Sequence, residues 1–412
     1  MKKKINKTEE EIKALLKEKK NKLNKDTFKL SEVVFTLIIT SIISVLIGYS
    51  IKKPTEAKID DKYLSEIIDN YNNIVDNYYD DIDKDKLVSG AVEGMVNSLD
   101  DDYSTILRQD NSSSFSINLE GTYEGIGVEI YNNDNNDIVI LGIINDSPAS
   151  KAGLKQGDII KKIDDKDLSN TNVSVLTKYV QENKKASYEL IIIRDGKEEN
   201  ITIERSMITI KSVLSKTFER NGKKIGYIYM SVFANATTKQ FEDALNKLEK
   251  ENIDALIIDV RSNSGGHLTT ASAILSNFLD SKKVIYQIEK DSKKTKYYSE
   301  GTVTKKYPIA IIQNGDSASA SELLSSSLKE SYGATIIGTK SYGKGTVQEV
   351  IELNNGDQYK FTTKKWLTPK GNFINQVGVE PDIEVELSEE YLKNPTDDND
   401  NQLQTAIDYL AK

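Results

Sequence analysis

The chain has 412 residues, of which 38% are hydrophobic and 29% are charged, a composition typical of a globular protein with two or three domains. It carries a formal net charge of −9 and contains no cysteine, which excludes thiol catalysis and leaves the redox compartment unconstrained.

The N-terminal part combines a basic tail with an apolar run. Residues 1–32 hold 11 lysines against 6 acidic residues, and residues 33–51 form a 19-residue stretch without a formal charge. At 1.5 Å per residue, a helix of this length is about long enough to cross the apolar core of a bilayer. We expect a transmembrane helix at 33–51 and a cytoplasmic tail at 1–32, because lysines favour the cytoplasmic side. The rest of the chain is then extracellular, on a single-pass protein of the cell membrane.

Two alternatives exist for this N-terminal part. A cleaved signal peptide has a weak site at Gly48-Tyr49-Ser50, but the long charged region and the length of the apolar run favour an uncleaved anchor. The basic tail could instead bind nucleic acid. Its interspersed acidic residues and the adjacent apolar run favour a membrane-flanking role, so no nucleic-acid partner is expected.

Residues 56–115 are predicted to form an N-terminal helical region. Apolar residues recur there at helical spacing: Leu64, Ile67, Ile68, Tyr71, Ile74, Val75, Leu87, Val92 and Met95. The segment 98–103 interrupts this pattern. The simplest interpretation of the region is a spacer or a helical cap.

Residues 118–206 change to short strands and glycine turns. The segment SPASKAGLKQGD at 147–158 resembles a PDZ domain of the circularly permuted kind found in bacterial proteases. The resemblance implies that a peptide C-terminus adds as a strand, with its carboxylate held by the amides of Gly125, Ile126 and Gly127. The alternative is that these glycines only make a tight turn.

A core region is predicted at 208–390. It begins with a strand at 224–232, an amphipathic helix at 238–250 and a buried strand at 255–260. The pair Gly265-Gly266 then separates this strand from a helix at 267–279. The polar residues 279–308 are expected to form an exposed excursion able to cover a site.

The segment 307–348 carries two reactive side-chain types on loops. An apolar strand at 307–312 leads into a turn with Ser317, Ser319 and Ser321, and a second strand leads into a glycine-rich turn with Lys344. Open α/β sheets place their chemistry on such loops. The non-catalytic alternatives are that Ser319 is a helix N-cap and that Lys344 is an exposed turn lysine.

The motifs of this segment resemble one peptidase family. SASASE, a lysine 25 positions after its middle serine in GKGTVQ, and DVRSNSGG at 259–266 resemble the carboxyl-terminal processing peptidases, or tail-specific proteases. The similarity extends over most of the chain after residue 56. It implies a Ser-Lys dyad with Ser319 as nucleophile, Lys344 as general base and Gln348 as the residue that positions the lysine. It also implies that the N-terminal region helps to pair subunits, so a homodimer is possible.

Elementary chemistry agrees with a Ser-Lys dyad. A serine hydroxyl is a poor nucleophile until a base takes its proton, and a lysine is a base only when it is neutral. Its reference pKa of about 10.4 must fall by roughly 3 units, on the order of 4 kcal/mol, for a large neutral fraction near pH 7. We therefore expect a desolvated Lys344 amine. On a strand, residues 344 and 348 share a face, so Gln348 can hold Lys344 without adding charge.

An oxyanion site is expected beside the dyad. The amide of Ala320 follows the candidate nucleophile, and the Gly265 and Gly266 amides lie at a helix start, where glycine lets the backbone approach a substrate. The alternative for the two glycines is a plain strand-to-helix turn.

Other chemistries are not favoured by the sequence. GTKSYGKG at 338–345 nearly matches a phosphate-binding loop, but Gly345 replaces the Ser or Thr that binds magnesium, and a strand follows. SSLK at 326–329 matches S-x-x-K but falls inside the helical segment. The single histidine, His267, is interpreted as a helix-start residue without catalytic duty. No metal and no cofactor is implied.

The expected fold class is α/β: a peptidase core with a mixed sheet and flanking helices, a PDZ-like β-rich domain, an N-terminal helical segment and one transmembrane helix. A C-terminal tail is placed at 391–412. The expected function is that of a membrane-anchored serine endopeptidase that recognises substrate C-termini. The alternative is a non-catalytic or conditionally inactive extracellular protein that binds peptide tails.

Overall fold

The computed structural model describes residues 11–20, 61–303, 306–353 and 356–412, with the side chains of residue 61 and residues 109–114 left out of the description. The chain divides into two compact units, residues 1–87 and 88–412. Residues 11–20 are helical.

The predicted transmembrane helix is corrected. Among the described residues, no helix is both long enough and apolar enough to cross a bilayer. The expectation rested on a charge-free run at 33–51, and that segment lies outside the described residues. The fold class of the described residues is therefore a mixed α/β core with a PDZ-like domain. The extracellular placement depended on that helix and stays a prediction.

Three helices and a short strand occupy the region predicted to be helical. They are α1 (Asp61–Asn77), α2 (Lys84–Asn97), β1 (Thr105–Leu107) and α3 (Gln109–Glu120). The apolar residues of α1 recur at helical spacing, yet Leu64, Ile67 and Ile74 are exposed. A turn at 100–104 joins α2 to β1.

A β-rich domain follows. Its elements are β2 (Thr122–Gly125), β3 (Val128–Asn132), β4 (Ile138–Ile143), α4 (Pro148–Lys151), β5 (Ile159–Ile163), β6 (Lys166–Asp167), α5 (Val173–Asn183), β7 (Ser187–Arg194), β8 (Lys197–Glu204) and β9 (Ser206–Thr209). The sheet order is β3-β4-β5-β7-β8, so β3 is an edge strand, and β2 pairs with β9. The core of this domain includes Ile138, Ile160, Leu190 and Ile192, none of which is exposed.

The core domain is built on a six-stranded sheet of order β10-β11-β12-β15-β16-β19. Its strands are β10 (Val213–Arg220), β11 (Lys223–Met230), β12 (Ala255–Asp259), β15 (Ile309–Gln313), β16 (Thr335–Gly338) and β19 (Ile383–Glu384). The β10–β11 pair is antiparallel, whereas the pairs from β11 to β19 are parallel. The central strands β12 and β15 are buried along their whole length, as their continuous apolar runs predict.

Helices cover both faces of this sheet. The helices of the domain are α6 (Asn235–Lys250), α7 (Leu268–Leu275), α8 (Ala320–Ser327), which continues into a π-helical turn (Leu328–Tyr332), α9 (Glu389–Lys393) and α10 (Asn401–Leu410). Apolar side chains of α6, α7 and α8 join one core cluster with the sheet, and those of α10 join a cluster on the other face. The result is a three-layer arrangement.

A second sheet lies beside the first and has the order β1-β18-β13-β14, with β17 also paired to β18. Its strands are β13 (Val284–Lys290), β14 (Lys293–Tyr298), β17 (Thr346–Glu352) and β18 (Gln358–Leu367), together with β1. The excursion predicted at 279–308 thus contains a β-hairpin, and β14 is exposed along its length. Strand β18 pairs with both β1 and β17 and so connects the start of the unit to its middle.

Candidate active site

Three loops meet at the carboxyl ends of neighbouring parallel strands. The DVRSNSGG loop follows β12, the serine turn follows β15, and the glycine-rich turn with Lys344 follows β16. Carboxyl ends of parallel strands lie at one edge of a sheet, where α/β proteins bind their ligands. The fold therefore brings the two predicted reactive residues to the same edge.

Ser319 directly precedes α8 in an unusual backbone conformation. Its φ is 54° and its ψ is −111°, and the residue is 8% exposed. Non-glycine residues rarely adopt such angles, and the strain typically persists where a surrounding structure enforces it at a functional site. Ser319 occupies the N-cap position, but its side chain makes no capping hydrogen bond. The Ser319 hydroxyl therefore does not have the N-cap role that was the alternative to a catalytic role.

Glu322 connects the backbones of both predicted reactive residues. This fully buried carboxylate accepts hydrogen bonds through Oε2 from the amides of Ser319 and Lys344, each at 2.8 Å. Through Oε1 it accepts from the Ser341 hydroxyl and from the Gly343 amide, both at 2.6 Å. Burial raises the pKa of Glu322, whereas these four hydrogen bonds favour the ionised form.

Sequence reasoning missed Glu322, although a signal was present. Ser319 and Glu322 have the S-x-x-E spacing of a capping box, in which the glutamate accepts from the N-cap amide. The structure contains that hydrogen bond. The second bond, to a residue 22 positions away, depends on the tertiary fold and has no local signature.

Lys344 has a largely buried amine. Burial lowers the pKa of Lys344, the positive charge of Lys360 lowers it further, and the negative charges of Asp101 and Glu322 oppose this change. The ammonium nitrogen lies 4.7 Å from the centroid of the Tyr103 ring. Among the described residues, no hydrogen bond links Lys344 Nζ to the Ser319 hydroxyl. The arrangement is therefore one in which the lysine is desolvated but not engaged with the serine.

Gln348 points toward two threonines. Its amide donates to the Thr346 hydroxyl at 2.9 Å and to the Thr362 hydroxyl at 3.1 Å. The expectation that residues 344 and 348 share a face assumed a continuous strand. Strand β17 begins only at Thr346, and its register shifts between Val347 and Gln348. A bulge of this kind interrupts the alternation of side chains, which explains the orientation of Gln348.

Trp366, the single tryptophan of the chain, also supports the Lys344 turn. Its fully buried indole donates its N–H to the Lys344 carbonyl at 2.9 Å, and the Trp366 amide donates to the Gly345 carbonyl at 3.0 Å. Trp366 of strand β18 therefore holds the backbone of the glycine-rich turn through two hydrogen bonds.

The two glycines of DVRSNSGG permit close backbone contacts. Gly265 has a φ of 109°, and a Cβ there would lie 2.9 Å from both the Ala318 carbonyl oxygen and the Ser319 Cβ. Its amide donates to the Asn263 side chain at 2.9 Å. Gly266 has a φ of 137°, and a Cβ there would lie 2.4 Å from the Phe233 carbonyl oxygen. Two of the three predicted oxyanion residues, Gly265 and Ala320, are thus adjacent to Ser319. The third, Gly266, directly follows Gly265 in the chain.

Other residues of the same loop form a buried ionic network. Arg261 contacts Asp259 at 2.6 Å and Asp400, the N-cap of α10, at 2.7 Å. The Tyr227 hydroxyl donates to Asp259 at 2.8 Å. Burial lowers the pKa of Arg261, but the two carboxylates outweigh it and raise this pKa. The charged residues of the motif therefore anchor the loop to the C-terminal helix.

His267 lies at the start of α7, as predicted. Its Nε2 is buried and has no hydrogen-bond partner among the described residues. Within all the residues that the structure describes, no group of three or more acidic or histidine side chains is arranged to hold a metal ion.

The predicted peptide-binding loop precedes the edge strand β3. Ile126 is buried, and its carbonyl accepts from Ala149, while the Gly127 carbonyl accepts from Ile144. Gly127 has a φ of 84°, and a Cβ there would lie 2.3 Å from the Ser147 Cβ. The glycine is thus required by a tight turn, which was the alternative interpretation, and the edge strand β3 is also present. Binding of a carboxylate by Gly125, Ile126 and Gly127 stays a prediction.

Three family models match successive parts of the chain. Residues 224–385 match peptidase family S41, residues 125–204 match a PDZ domain, and residues 48–111 match the N-terminal domain of the activating protease CtpB. The matched segments correspond to the core, the β-rich domain and the N-terminal helical region.

Curated proteins are similar over most of the chain. The carboxy-terminal processing protease CtpB of Bacillus subtilis is 35% identical over 348 residues, which cover 83% of this chain and 72% of that protein. The carboxy-terminal processing protease CtpA of the same organism is 34% identical over 374 residues, covering 89% of this chain and 79% of that protein. A probable CtpA-like serine protease of Staphylococcus aureus is 31% identical over 362 residues, covering 87% of this chain and 72% of that protein.

Proposed function

Because this chain belongs to the carboxy-terminal processing proteases of peptidase family S41, we propose that it hydrolyses peptide bonds with a dyad of Ser319 and Lys344. It is a serine-type peptidase with a PDZ domain. The observation that carries the proposed dyad is the shared carboxylate of Glu322, which binds the backbone amides of both residues.

Ser319 is the proposed nucleophile. Among Ser317, Ser319 and Ser321, two hydroxyls are engaged in backbone hydrogen bonds: Ser317 donates to Val260 at 2.8 Å and Ser321 donates to Asn263 at 2.7 Å. The Ser319 hydroxyl, on a strained backbone directly before α8, makes no capping bond among the described residues. Its chemical role is to attack the substrate carbonyl and form an acyl-enzyme.

Lys344 is the proposed base. The neutral amine accepts the proton of the Ser319 hydroxyl as the oxygen attacks, and it later returns a proton to the leaving amine. Burial of Lys344 lowers its pKa, which favours the neutral form that this step requires. In this proposal Gln348 orients Lys344. The side-chain amide of Gln348 first breaks its hydrogen bonds to Thr346 and Thr362.

The oxyanion donors are proposed to be backbone amides. The Gly265 amide is already bonded to Asn263, so the amides of Gly266 and Ala320 support the role better in the observed arrangement. Both lie at helix starts, where the helix dipole favours negative charge.

The substrate is proposed to be a protein with an accessible C-terminus. Support comes from the PDZ match and from the edge strand β3, to which an extended peptide can add. Relatives of this chain are named as carboxy-terminal processing proteases. Pairing of two copies, which the sequence resemblance implied, stays a prediction.

The test is cleavage of an unfolded protein with an apolar C-terminus by the full chain, compared with Ser319→Ala and Lys344→Ala. We expect cleavage by the unaltered chain and its loss in both variants. Cleavage that persists in Lys344→Ala would refute the lysine base.

A matched substrate tests the role of the C-terminus. The same unfolded protein with an amidated C-terminus lacks the carboxylate that loop amides would hold. We expect it to be cut more slowly, with the difference mainly in KM. Equal rates for both substrates would refute recognition of the C-terminus. Tight binding of the tail without cleavage would favour the conditionally inactive form of the alternative function.

A further inference from the structure

A turn from outside the core domain lies directly on Lys344. Residues 100–104 follow α2 and lead into β1, whose Thr105 pairs with Lys360 of β18. Within the turn, Asp101 accepts a hydrogen bond from the Ser104 hydroxyl at 2.5 Å, and Ser104 is buried. The turn is thus held both by its own hydrogen bonds and by the second sheet.

The aromatic ring of this turn faces the Lys344 ammonium. The distance from Lys344 Nζ to the centroid of the Tyr103 ring is 4.7 Å, within the range of a cation–π contact. The Tyr103 phenol lies beside Tyr342 of the glycine-rich turn, and burial together with this neighbour raises the pKa of Tyr103 to about 12. A ring face attracts an ammonium but has no such attraction for a neutral amine, so this contact favours the charged lysine.

The charged groups around Lys344 act in opposite directions. Asp101 from the turn and Glu322 from α8 favour the ammonium, whereas Lys360 from β18 disfavours it. The ring of Tyr103 also favours the ammonium form of Lys344. Two of the three groups that favour the charged form therefore belong to the single turn at 100–104.

The same turn is connected to Gln348. The Gln348 amide donates to the Thr362 hydroxyl at 3.1 Å, the Thr362 amide donates to the Ser104 hydroxyl at 3.1 Å, and Ser104 donates to Asp101. Thr362 thus links Gln348 to the turn that contacts Lys344. A displacement of this turn would remove the ring contact with Lys344 and the hydrogen bond to Ser104 from Thr362, whose hydroxyl holds Gln348.

We propose that Tyr103 and Asp101 are positioning residues that hold the Lys344 ammonium away from Ser319, and that this turn must withdraw before hydrolysis. The inference rests on the proposed roles of Ser319 and Lys344. On withdrawal, the ammonium releases one proton to water, and the neutral amine then accepts the proton of the Ser319 hydroxyl. Tyr103 and Asp101 do not touch the substrate in this scheme.

The test uses the full chain and a fluorophosphonate probe, which reacts with an activated serine without requiring the PDZ domain. The labelling rate is measured as a function of pH. We expect Tyr103→Leu to label roughly three- to tenfold faster near neutral pH, and to shift the rise of the rate to lower pH by roughly half to one unit. Asp101→Asn, which keeps an acceptor for Ser104, is expected to shift the profile in the same direction.

Tyr103→Phe is the matched control, because it keeps the ring and removes only the phenol. We expect its profile to resemble that of the unaltered chain. Circular dichroism and the melting temperature report whether each variant is folded. A folded Tyr103→Leu with unchanged or slower labelling, or a Tyr103→Phe that behaves like Tyr103→Leu, would overturn the inference.

Failure of the proposed dyad is distinguishable in the same experiment. Labelling that persists in Ser319→Ala, or labelling of Lys344→Ala with the rate and pH profile of the unaltered chain, refutes the dyad whatever Tyr103 does. Loss of labelling in both variants, together with an unchanged Tyr103→Leu profile, refutes only the role of the turn.

Discussion

The backbone amides of Ser319 and Lys344 donate to the same atom, Oε2 of Glu322, each at 2.8 Å. The two residues come from loops after different strands, and this single carboxylate oxygen fixes the distance between their backbones. The arrangement makes Glu322 a positioning residue whose removal affects both partners at once.

Glu322→Gln is therefore expected to lower the turnover number by about 10- to 100-fold. The amide keeps the shape of the side chain but replaces one acceptor with a donor, so buried N–H groups lose their partners at a cost of about 1–3 kcal/mol. Steady-state kinetics should show a fall in kcat with little change in KM. Glu330→Gln, in the π-helical turn after α8, is the control, and equal kinetics for the two variants would contradict the role of Glu322.

The pH dependence of the reaction offers a test of Lys344. In the proposed mechanism the neutral amine is the base, so the rate of serine labelling should rise with pH through the pKa of Lys344, which burial holds below its ordinary value. Lys360→Gln removes a positive charge that lowers this pKa. The pKa of Lys344 should then rise, and the profile should move to higher pH by roughly half a unit.

Lys364→Gln is the control for this shift, since Lys364 lies on the same strand but pairs with Glu349. Its pH profile should match that of the unaltered chain. A Lys360→Gln profile that moves to lower pH, or does not move, would contradict the assigned sign.

Gly265→Ala is expected to abolish peptidase activity. A Cβ at Gly265 would meet the Ala318 carbonyl oxygen and the Ser319 Cβ at 2.9 Å, and the φ of 109° is itself unfavourable for alanine. We expect a loss of at least about 100-fold in kcat/KM, because the displaced atoms belong to the proposed nucleophile. Gly315→Ala is the comparison, since its Cβ meets only the Lys340 carbonyl oxygen, at 3.9 Å. That variant should remain active.

Asp400→Asn tests the ionic network under the site. The asparagine retains the capping bond to the Leu403 amide, but Arg261 loses a buried counter-charge. We expect the free energy of unfolding to fall by about 3 kcal/mol, measured by denaturation followed by circular dichroism. Asp397→Asn breaks the exposed pair with Lys216 and should cost less than about 1 kcal/mol. Similar losses for the two variants would contradict the importance of burial.

The sequence was informative where the signal is local. Continuous apolar runs predicted the buried strands β12 and β15, and the small and glycine residues after them marked the loops that carry Ser319 and Gly265. In the same way, a second apolar strand followed by glycines predicted the turn after β16 that carries Lys344. Such patterns arise because a buried parallel strand must be apolar and a loop near a ligand must be small.

Other features depend on contacts that no local pattern encodes. Tyr103 contacts a residue 241 positions later, through the pairing of β1 with β18. The orientation of Gln348 depends on a register shift, which alternation of side chains cannot anticipate. The transmembrane prediction used the length of the charge-free run at 33–51 and its lysine-rich flank, and no described helix supports it.

The contact between Trp366 and the Lys344 carbonyl gives the protein an intrinsic optical reporter. Indole fluorescence responds to the hydrogen bonding and polarity of its surroundings, and the chain has one tryptophan, so its emission comes from a single known place. A change in the turn that carries Lys344 should therefore alter the emission of the unlabelled protein. Rapid mixing with a tail peptide would then show whether and how fast this turn rearranges, without any engineered dye.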